Sequence, residues 1–174
     1  MLWPVFPWFC PPAPLSSGVR QIMNEIAEKF FALSEEDKKK VHISMADLAL
    51  RSWKAFVENG DVPQSYRESV VGTHQEFDVV LPDRALEVLK AGSNAAQVLI
   101  DYQEPICAMQ DEDLVLGDDA EMAYYAIYNT IMKYVAGKQV DDWLIVNQAL
   151  SSLGDGADIF TPLRQAIDHC EKLK

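Results

Sequence analysis

Carboxylates are the residues of this chain with the most evident capacity for chemistry. Between Lys90 and Lys133 the sequence has no lysine or arginine and contains eight acidic residues: Asp101, Glu104, Asp111, Glu112, Asp113, Asp118, Asp119 and Glu121. Such a group could bind a divalent cation, transfer protons as acid and base, or attract a basic partner. The spacing of the residues decides between these three kinds of chemistry.

The spacing fits neither a calcium loop nor a known catalytic motif. If Asp111 opens a calcium-binding loop, Leu116 stands where the turn glycine is needed and Met122 stands where the bidentate glutamate is needed. The chain also lacks Glu-x-x-His, His-Glu-x-x-His, Gly-x-Ser-x-Gly and glycine-rich phosphate loops. His42, His74 and His169 fall on three separate predicted helices. We therefore predict no catalytic residue, no metal site and no cofactor.

The net charge indicates the kind of partner that this chain would attract. With 15 basic and 27 acidic residues the formal charge is −12 at pH 7, and all of the excess lies in residues 61–174. An acidic surface repels nucleic acid and anionic lipid. The one basic cluster, Lys38, Lys39 and Lys40, points around a helix and is interpreted as a solvated turn. The acidic stretch is either a solvated face or a docking surface for a basic protein.

We predict that five acidic residues form the electrostatic part of a partner-binding surface: Asp111, Glu112, Asp113, Asp118 and Asp119. Tyr124, Tyr125 and Trp143 are candidate anchors, although each also suits a hydrophobic core. The predicted function is a non-catalytic acidic binding protein that inhibits or escorts a basic partner, as an immunity protein does with a toxin. The alternatives are an oligomerisation module and a helical hydrolase whose site is assembled from distant residues.

The elements that position these residues are predicted to be helices. From residue 16 onward apolar residues recur at intervals of three and four, which predicts an all-α domain over 16–174 with about seven or eight helices. Ser34 with Asp37 is typical of a helix start, and Asn59-Gly60 of a left-handed helix end. The segment 122–136 is apolar on nearly all sides, so it is predicted to lie at the centre of the bundle.

Several boundaries follow from turn and capping residues. A helix is predicted to restart at Asp61-Val-Pro and to extend to Phe77, with Gly72 as a candidate break. Residues 79–81 are the only strand-like run, and a single short run has no partner with which to pair. Pro105 is expected to kink or end its helix. Asp118, with Glu121 three residues later, is expected to cap the central helix.

The first fifteen residues, MLWPVFPWFCPPAPL, contain no polar side chain and five of the nine prolines. This density of proline predicts an extended arm over 1–15. The arm packs on the chain's own helices, inserts into a partner or second copy, or precedes a native start at Met23. It lacks the charged region of an export signal. The three cysteines and the absence of a long apolar run predict a cytoplasmic protein without a membrane span.

Overall fold

A computed structural model describes residues 17–60, 62–68, 72–92, 96–154 and 160–172. The described residues form seven helices, which confirms the all-α prediction, and one small hairpin. None of these helices is both long and apolar enough to cross a membrane. The helices are α1 Ser17–Phe31, α2 Glu35–Asn59, α3 Leu81–Ala91, α4 Ala96–Gln110, α5 Asp118–Tyr134, α6 Asp142–Ser151 and α7 Thr161–Lys172, and the strands are β1 Ser65–Arg67 and β2 His74–Glu76. The arm predicted over 1–15 lies outside the described residues.

Helix α2 has the start and the end that its sequence predicts. The Ser34 hydroxyl oxygen accepts a hydrogen bond from the backbone N–H of Asp37 at 3.2 Å, which satisfies one of the free donors of the first turn. Gly60 ends the helix with φ of 82°, and its N–H donates to the carbonyl of Val57. Glycine adopts this left-handed conformation without the steric cost that a side chain imposes.

Helices α2 and α5 run antiparallel through the middle of the molecule. At one end the Phe56 ring of α2 lies beside Gly117, the residue before α5. Near the other end His42 of α2 is hydrogen-bonded to Tyr134, the last residue of α5. Residues on nearly all sides of α5 are buried, as its sequence predicts for a central helix.

The helix predicted over residues 61–77 is wrong, because the described residues of this segment include the two paired strands and no helix. Strand β1 pairs with β2 in antiparallel register, with Tyr66 opposite Gln75. Tyr66 is the only inward-facing residue of the two strands, and its ring packs edge-on against Phe77 at 6.2 Å. The strand-like run over residues 79–81 forms no strand, since Val79 and Val80 form a turn and Leu81 begins α3. The spacing of apolar residues did not distinguish a helix from a hairpin here, because a hairpin with one buried face can also place residues at such intervals toward the core.

Helix α4 continues past its proline. Pro105 is buried inside the helix, which begins at Ala96 and extends to Gln110. Proline lacks the N–H that would donate to the carbonyl four residues earlier, so this helix tolerates one missing bond. Burial of the proline ring against the core offsets part of that loss.

The buried side chain of His42 links helices α2, α5 and α6 through hydrogen bonds. The Nε2 atom of His42 lies 2.9 Å from the carbonyl oxygen of Asp142 at the start of α6. Because a carbonyl oxygen can only accept, Nε2 carries the proton, and Nδ1 accepts from the Tyr134 hydroxyl at 2.6 Å. Burial lowers the pKa of His42 to about 4, despite the opposing effect of the Asp142 carbonyl.

Charged residues surround this histidine in a compact arrangement. Asp142 forms ion pairs with Lys133 at 2.9 Å and with Lys38 at 3.6 Å. Although burial opposes its ionisation, the hydrogen bond and charge of Lys133 lower the pKa of the Asp142 carboxyl. The Lys38 side chain is mostly buried and forms an ion pair with Asp142. The prediction of a solvated turn is therefore wrong for this lysine. The Lys39 ammonium lies over the Tyr134 ring, 5.5 Å from its centroid.

The low pKa of His42 predicts a specific dependence of stability on pH. In the unfolded chain this imidazole has a pKa near 6.5, so between pH 6.5 and 4 the unfolded state binds a proton that the folded state does not. We expect the free energy of unfolding to fall by about 1.4 kcal/mol per pH unit in this window, or about 3 kcal/mol in total. Denaturant unfolding at a series of pH values measures this slope.

His42→Gln is the matched variant, because its amide can still donate to Asp142 and accept from Tyr134. Its stability is expected to be lower overall but to change much less between pH 6.5 and 4. Equal slopes for the two proteins would show that His42 does not cause the dependence.

Candidate functional site

The connection between α4 and α5 is an exposed acidic loop, residues 111–117. Its side chains Leu114 and Leu116 are buried and hold the loop against the core. Val115 between them is 70% exposed, the largest fraction among the large apolar residues of the described chain. Asp111, Glu112 and Asp113 are exposed. The loop therefore presents one apolar side chain close in sequence to three carboxylates.

The end of α4 holds Glu112 in a conformation that usually belongs to glycine. Its φ is 60°, the one positive value recorded for a non-glycine residue of the described chain. The N–H of Glu112 donates to Met109 and that of Asp113 donates to Ala108, the pair of bonds that ends many helices around a left-handed glycine. A side chain at this position costs on the order of 1 kcal/mol relative to glycine.

The start of α5 adds two more exposed carboxylates. The residue before the helix is Gly117, which offers no capping side chain, so the prediction that Asp118 caps the helix is wrong. Asp118 and Asp119 lie instead in the first turn, where the partial positive charge of the helix end favours them. Glu121 in the same turn is half-buried, and burial raises the pKa of its carboxyl, with a further contribution from the charge of Asp118.

The ion pairs recorded for the described part of the chain lie outside this region. Among the described residues nine ion pairs form, and none of them involves an acid of the loop or of the first turn of α5. Of the acidic stretch, only Asp101 has such a partner there, the Arg84 guanidinium at 2.9 Å. The predicted electrostatic residues thus lie at and before the start of α5 without a countercharge among the described residues.

Tyr124 is part of the core, so its prediction as a partner-binding anchor is wrong. It is fully buried, and its ring centroid lies 4.8 Å from that of Tyr102 and 5.3 Å from that of Trp53. Its hydroxyl oxygen, like that of Tyr102, is buried without a hydrogen-bond partner among the described residues. Burial raises the pKa of both phenols well above the usual value. A fully buried ring cannot contact a partner.

Tyr125 and Trp143 are half-buried and lie in different places. Tyr125 follows Glu121 by one turn of α5, and burial raises the pKa of its phenol to about 12, with a further contribution from Glu121. Tyr125 therefore flanks the acidic end of α5. Trp143 packs beside Phe30 and Phe31 near the other end of α5, about 25 Å away along a helix of 17 residues. Of the predicted anchors, Tyr125 lies beside the acidic residues and Trp143 does not.

The remaining residues that could bind a metal ion or act in catalysis are dispersed. Among the described residues there is no group of three or more His, Cys, Asp or Glu side chains suited to hold a metal ion. His42 is buried, whereas His74 and His169 are exposed on separate elements. Cys170 is buried, whereas Cys107 is half-buried, and burial raises the pKa of the Cys107 thiol. A raised pKa lowers the fraction of reactive thiolate.

Comparisons of the chain with protein-family models, with curated proteins and with solved structures gave no match. A functional interpretation therefore depends on the geometry of the acidic end. Two of its features were not predicted from the sequence: the exposure of Val115 and the conformation of Glu112. The only local signal for the exposure of Val115 is the Leu-Val-Leu pattern, and this pattern does not indicate which of the three side chains faces solvent.

The unpartnered hydroxyl of Tyr124 predicts a substitution that stabilises the protein. A buried hydroxyl without a partner costs about 1–3 kcal/mol, so Tyr124→Phe is expected to raise the free energy of unfolding by about 1–2 kcal/mol. Tyr134→Phe is the matched control, because it removes a hydrogen bond to His42 and is expected to lower stability by about 1 kcal/mol. Urea unfolding compares the two. A loss of stability in both variants would mean that Tyr124 has a hydrogen-bond partner.

The conformation of Glu112 predicts a second stabilising substitution. Glu112→Gly removes the steric cost of the left-handed backbone and is expected to raise the free energy of unfolding by about 1 kcal/mol. Glu112→Ala removes the charge but keeps a Cβ atom, so its gain is expected to be smaller. Equal changes in the two variants, measured by urea unfolding, would assign the effect to charge alone.

Proposed function

We propose that this protein is a non-catalytic binding module whose acidic end docks onto a basic protein partner. The observation that carries the proposal is the group of exposed carboxylates around the exposed Val115, which form no ion pair with any described residue. We call this group the acidic end, and it consists of Asp111, Glu112, Asp113, Asp118 and Asp119 with Val115 and Tyr125. The proposed role is inhibition or escort of the partner, in the manner of an immunity protein that blocks a toxin.

Electrostatics supports a basic protein as the partner class. Five carboxylates in one region repel one another, and a cationic surface would relieve that repulsion on binding. Complementary charge accelerates association and orients the two proteins, with rate constants that fall as salt screens the field. Nucleic acid and anionic membranes carry the same sign of charge as this region and are disfavoured.

The position of three of these acids is unfavourable for the folded chain, which supports a role outside folding. Asp111, Glu112 and Asp113 lie at the carboxyl end of α4, where the partial negative charge of the helix disfavours acidic side chains by roughly 0.3–1 kcal/mol each. Glu112 also carries the cost of its left-handed backbone. Neutral residues with a glycine at 112 would be more stable here, so the acids are best explained by an interaction with another molecule.

Val115 and Tyr125 supply apolar contact within the charged region. Charge gives orientation and speed, whereas affinity depends mainly on a few apolar or aromatic groups that become fully buried. Val115 is fixed by the buried Leu114 and Leu116 on either side, so little conformational freedom is lost when a partner covers it. Tyr125 is already half-buried and therefore rigid.

Neutralising the acidic loop is expected to abolish partner capture without unfolding the protein. The loop variant combines Asp111→Asn, Glu112→Gln and Asp113→Asn. A surface variant with the same change in net charge combines Glu87→Gln, Asp168→Asn and Glu171→Gln, exposed acids of α3 and α7. Each protein is immobilised and exposed to an extract of the source organism, and retained proteins are quantified by mass spectrometry.

We expect one or a few basic proteins to be retained by the wild type and the surface variant and to be lost, at least about tenfold, with the loop variant. With a captured partner purified, the association rate constant is expected to fall about tenfold or more between about 50 mM and 500 mM salt for the wild type and far less for the loop variant. The stability of the loop variant is expected to equal or exceed that of the wild type. Retention of the same proteins by all three forms would contradict the proposal.

A further inference from the structure

The two strands of the hairpin contribute a single side chain to the core. Of residues 65–67 and 74–76, Tyr66 is buried and the other five are exposed. We call these two paired strands the strand pair. A two-stranded hairpin without further packing is at most marginally stable in water. The order of the strand pair therefore depends on the burial of the Tyr66 ring.

The Tyr66 ring lies where the strand pair meets α4 and α5. It packs edge-on against Phe77 at 6.2 Å, and the Phe77 ring lies 6.0 Å from that of Tyr124 of α5. Burial raises the pKa of the Tyr66 phenol, and the charges of Glu104 of α4 and of Glu68 add to this rise. Tyr66 thus covers an aromatic layer beside the carboxylate of Glu104.

Three buried oxygen atoms at or next to this position have no hydrogen-bond partner among the described residues. They are the hydroxyls of Tyr102 and Tyr124 and the Oε2 atom of Glu104. Burial raises the pKa of the Tyr124 phenol, with contributions from Tyr66 and Asp78, which place its hydroxyl on the side of the strand pair. The Tyr102 ring is 4.8 Å from the Tyr124 ring. Each such atom is less favourable here than in water.

Closure of the strand pair therefore has two opposing effects. It buries the Tyr66 ring, which is favourable, and it keeps the three oxygen atoms away from water, which is not. Opening reverses both effects, so its free energy is small compared with that of unfolding the helices, each of which buries a whole face. We propose that the strand pair is a lid that opens over Tyr102 and Tyr124 while the helices stay folded.

The chain at the base of the lid is fixed, as a hinge requires. The indole N–H of Trp53 donates to the carbonyl of Val79 at 2.9 Å, and the Phe77 ring packs edge-on against Trp53 at 6.0 Å. The N–H of Phe77 donates to the carbonyl of Gln64 at 3.0 Å and joins the two sides of the hairpin at this base. The strands beyond it are the part that moves.

Native-state hydrogen exchange of the full-length protein, followed by NMR, tests the proposal. The reporter of the lid is the amide of Glu68, which donates across the hairpin to the carbonyl of Thr73 at 2.8 Å. Met45 of α2 and Ile127 of α5, both fully buried, report on the helices. We expect the Glu68 amide to exchange at least about a hundredfold faster than these two, at a rate that low urea concentrations change little, because opening exposes little surface.

Tyr124→Phe distinguishes a lid over the tyrosines from a hairpin that only frays. Because the variant removes a hydroxyl that is unfavourable in the closed state alone, exchange at Glu68 is expected to slow about tenfold, which corresponds to about 1.4 kcal/mol. Tyr102→Phe is expected to act in the same direction. Tyr134→Phe is the matched control, since it breaks the hydrogen bond to His42 and is expected to leave exchange at Glu68 unchanged.

Two results would overturn the proposal. If Glu68 exchanges as slowly as Met45 and Ile127, the strand pair opens only when the whole protein unfolds. If Tyr124→Phe and Tyr102→Phe slow exchange at Met45 and leave Glu68 unchanged, the hydroxyls stay buried when the strands separate, and the strand pair does not cover them.

Discussion

The antiparallel packing of α2 against α5 is the constraint on which the rest of the molecule depends. Trp53 of α2 contacts Tyr124 of α5 at one level, and His42 is hydrogen-bonded to Tyr134 at another. The hairpin and α3 complete the core around Trp53, whose indole N–H donates to the carbonyl of Val79 at 2.9 Å. Helices α1 and α6 complete it around His42. The pair of helices therefore has two opposite ends, the His42 end and the acidic end, and the side chains at the two ends differ in chemistry.

At the His42 end, the buried imidazole is hydrogen-bonded on both sides. Both ring nitrogens of His42 have partners, and the carboxylate of Asp142 lies against two lysines. A neutral histidine satisfied on both sides is compatible with burial, whereas its charged form is not, and this is the origin of its low pKa. The same layer supports the exposed Phe31 and the half-buried Trp143. This end of the molecule therefore combines a hydrogen-bonded buried layer with apolar side chains that are exposed to solvent.

At the acidic end the local interactions conflict with the fold. A glutamate occupies a glycine conformation, and three acids lie at the wrong end of a helix dipole. Such conflicts are expected where residues are retained for an interaction with another molecule. The exposure of Val115 within this region and the lack of ion pairs to it among the described residues point in the same direction. The separation of about 25 Å between the two ends means that an occupant of one need not disturb the other.

The amino-acid sequence by itself determined the helical class, the central position of α5, the caps at Ser34 and Gly60 and the location of the unbalanced charge. These properties depend on local spacing and on single residues, so they can be derived without knowledge of distant contacts. Only the tertiary structure decided that Tyr124 is in the core, that Tyr125 flanks the acids and that Trp143 lies at the opposite end. It also decided that residues 65–76 contain a hairpin. The positions of these side chains and the hairpin depend on which apolar face of each element packs against which neighbouring element. A spacing pattern in the sequence is compatible with several such arrangements and cannot select one of them.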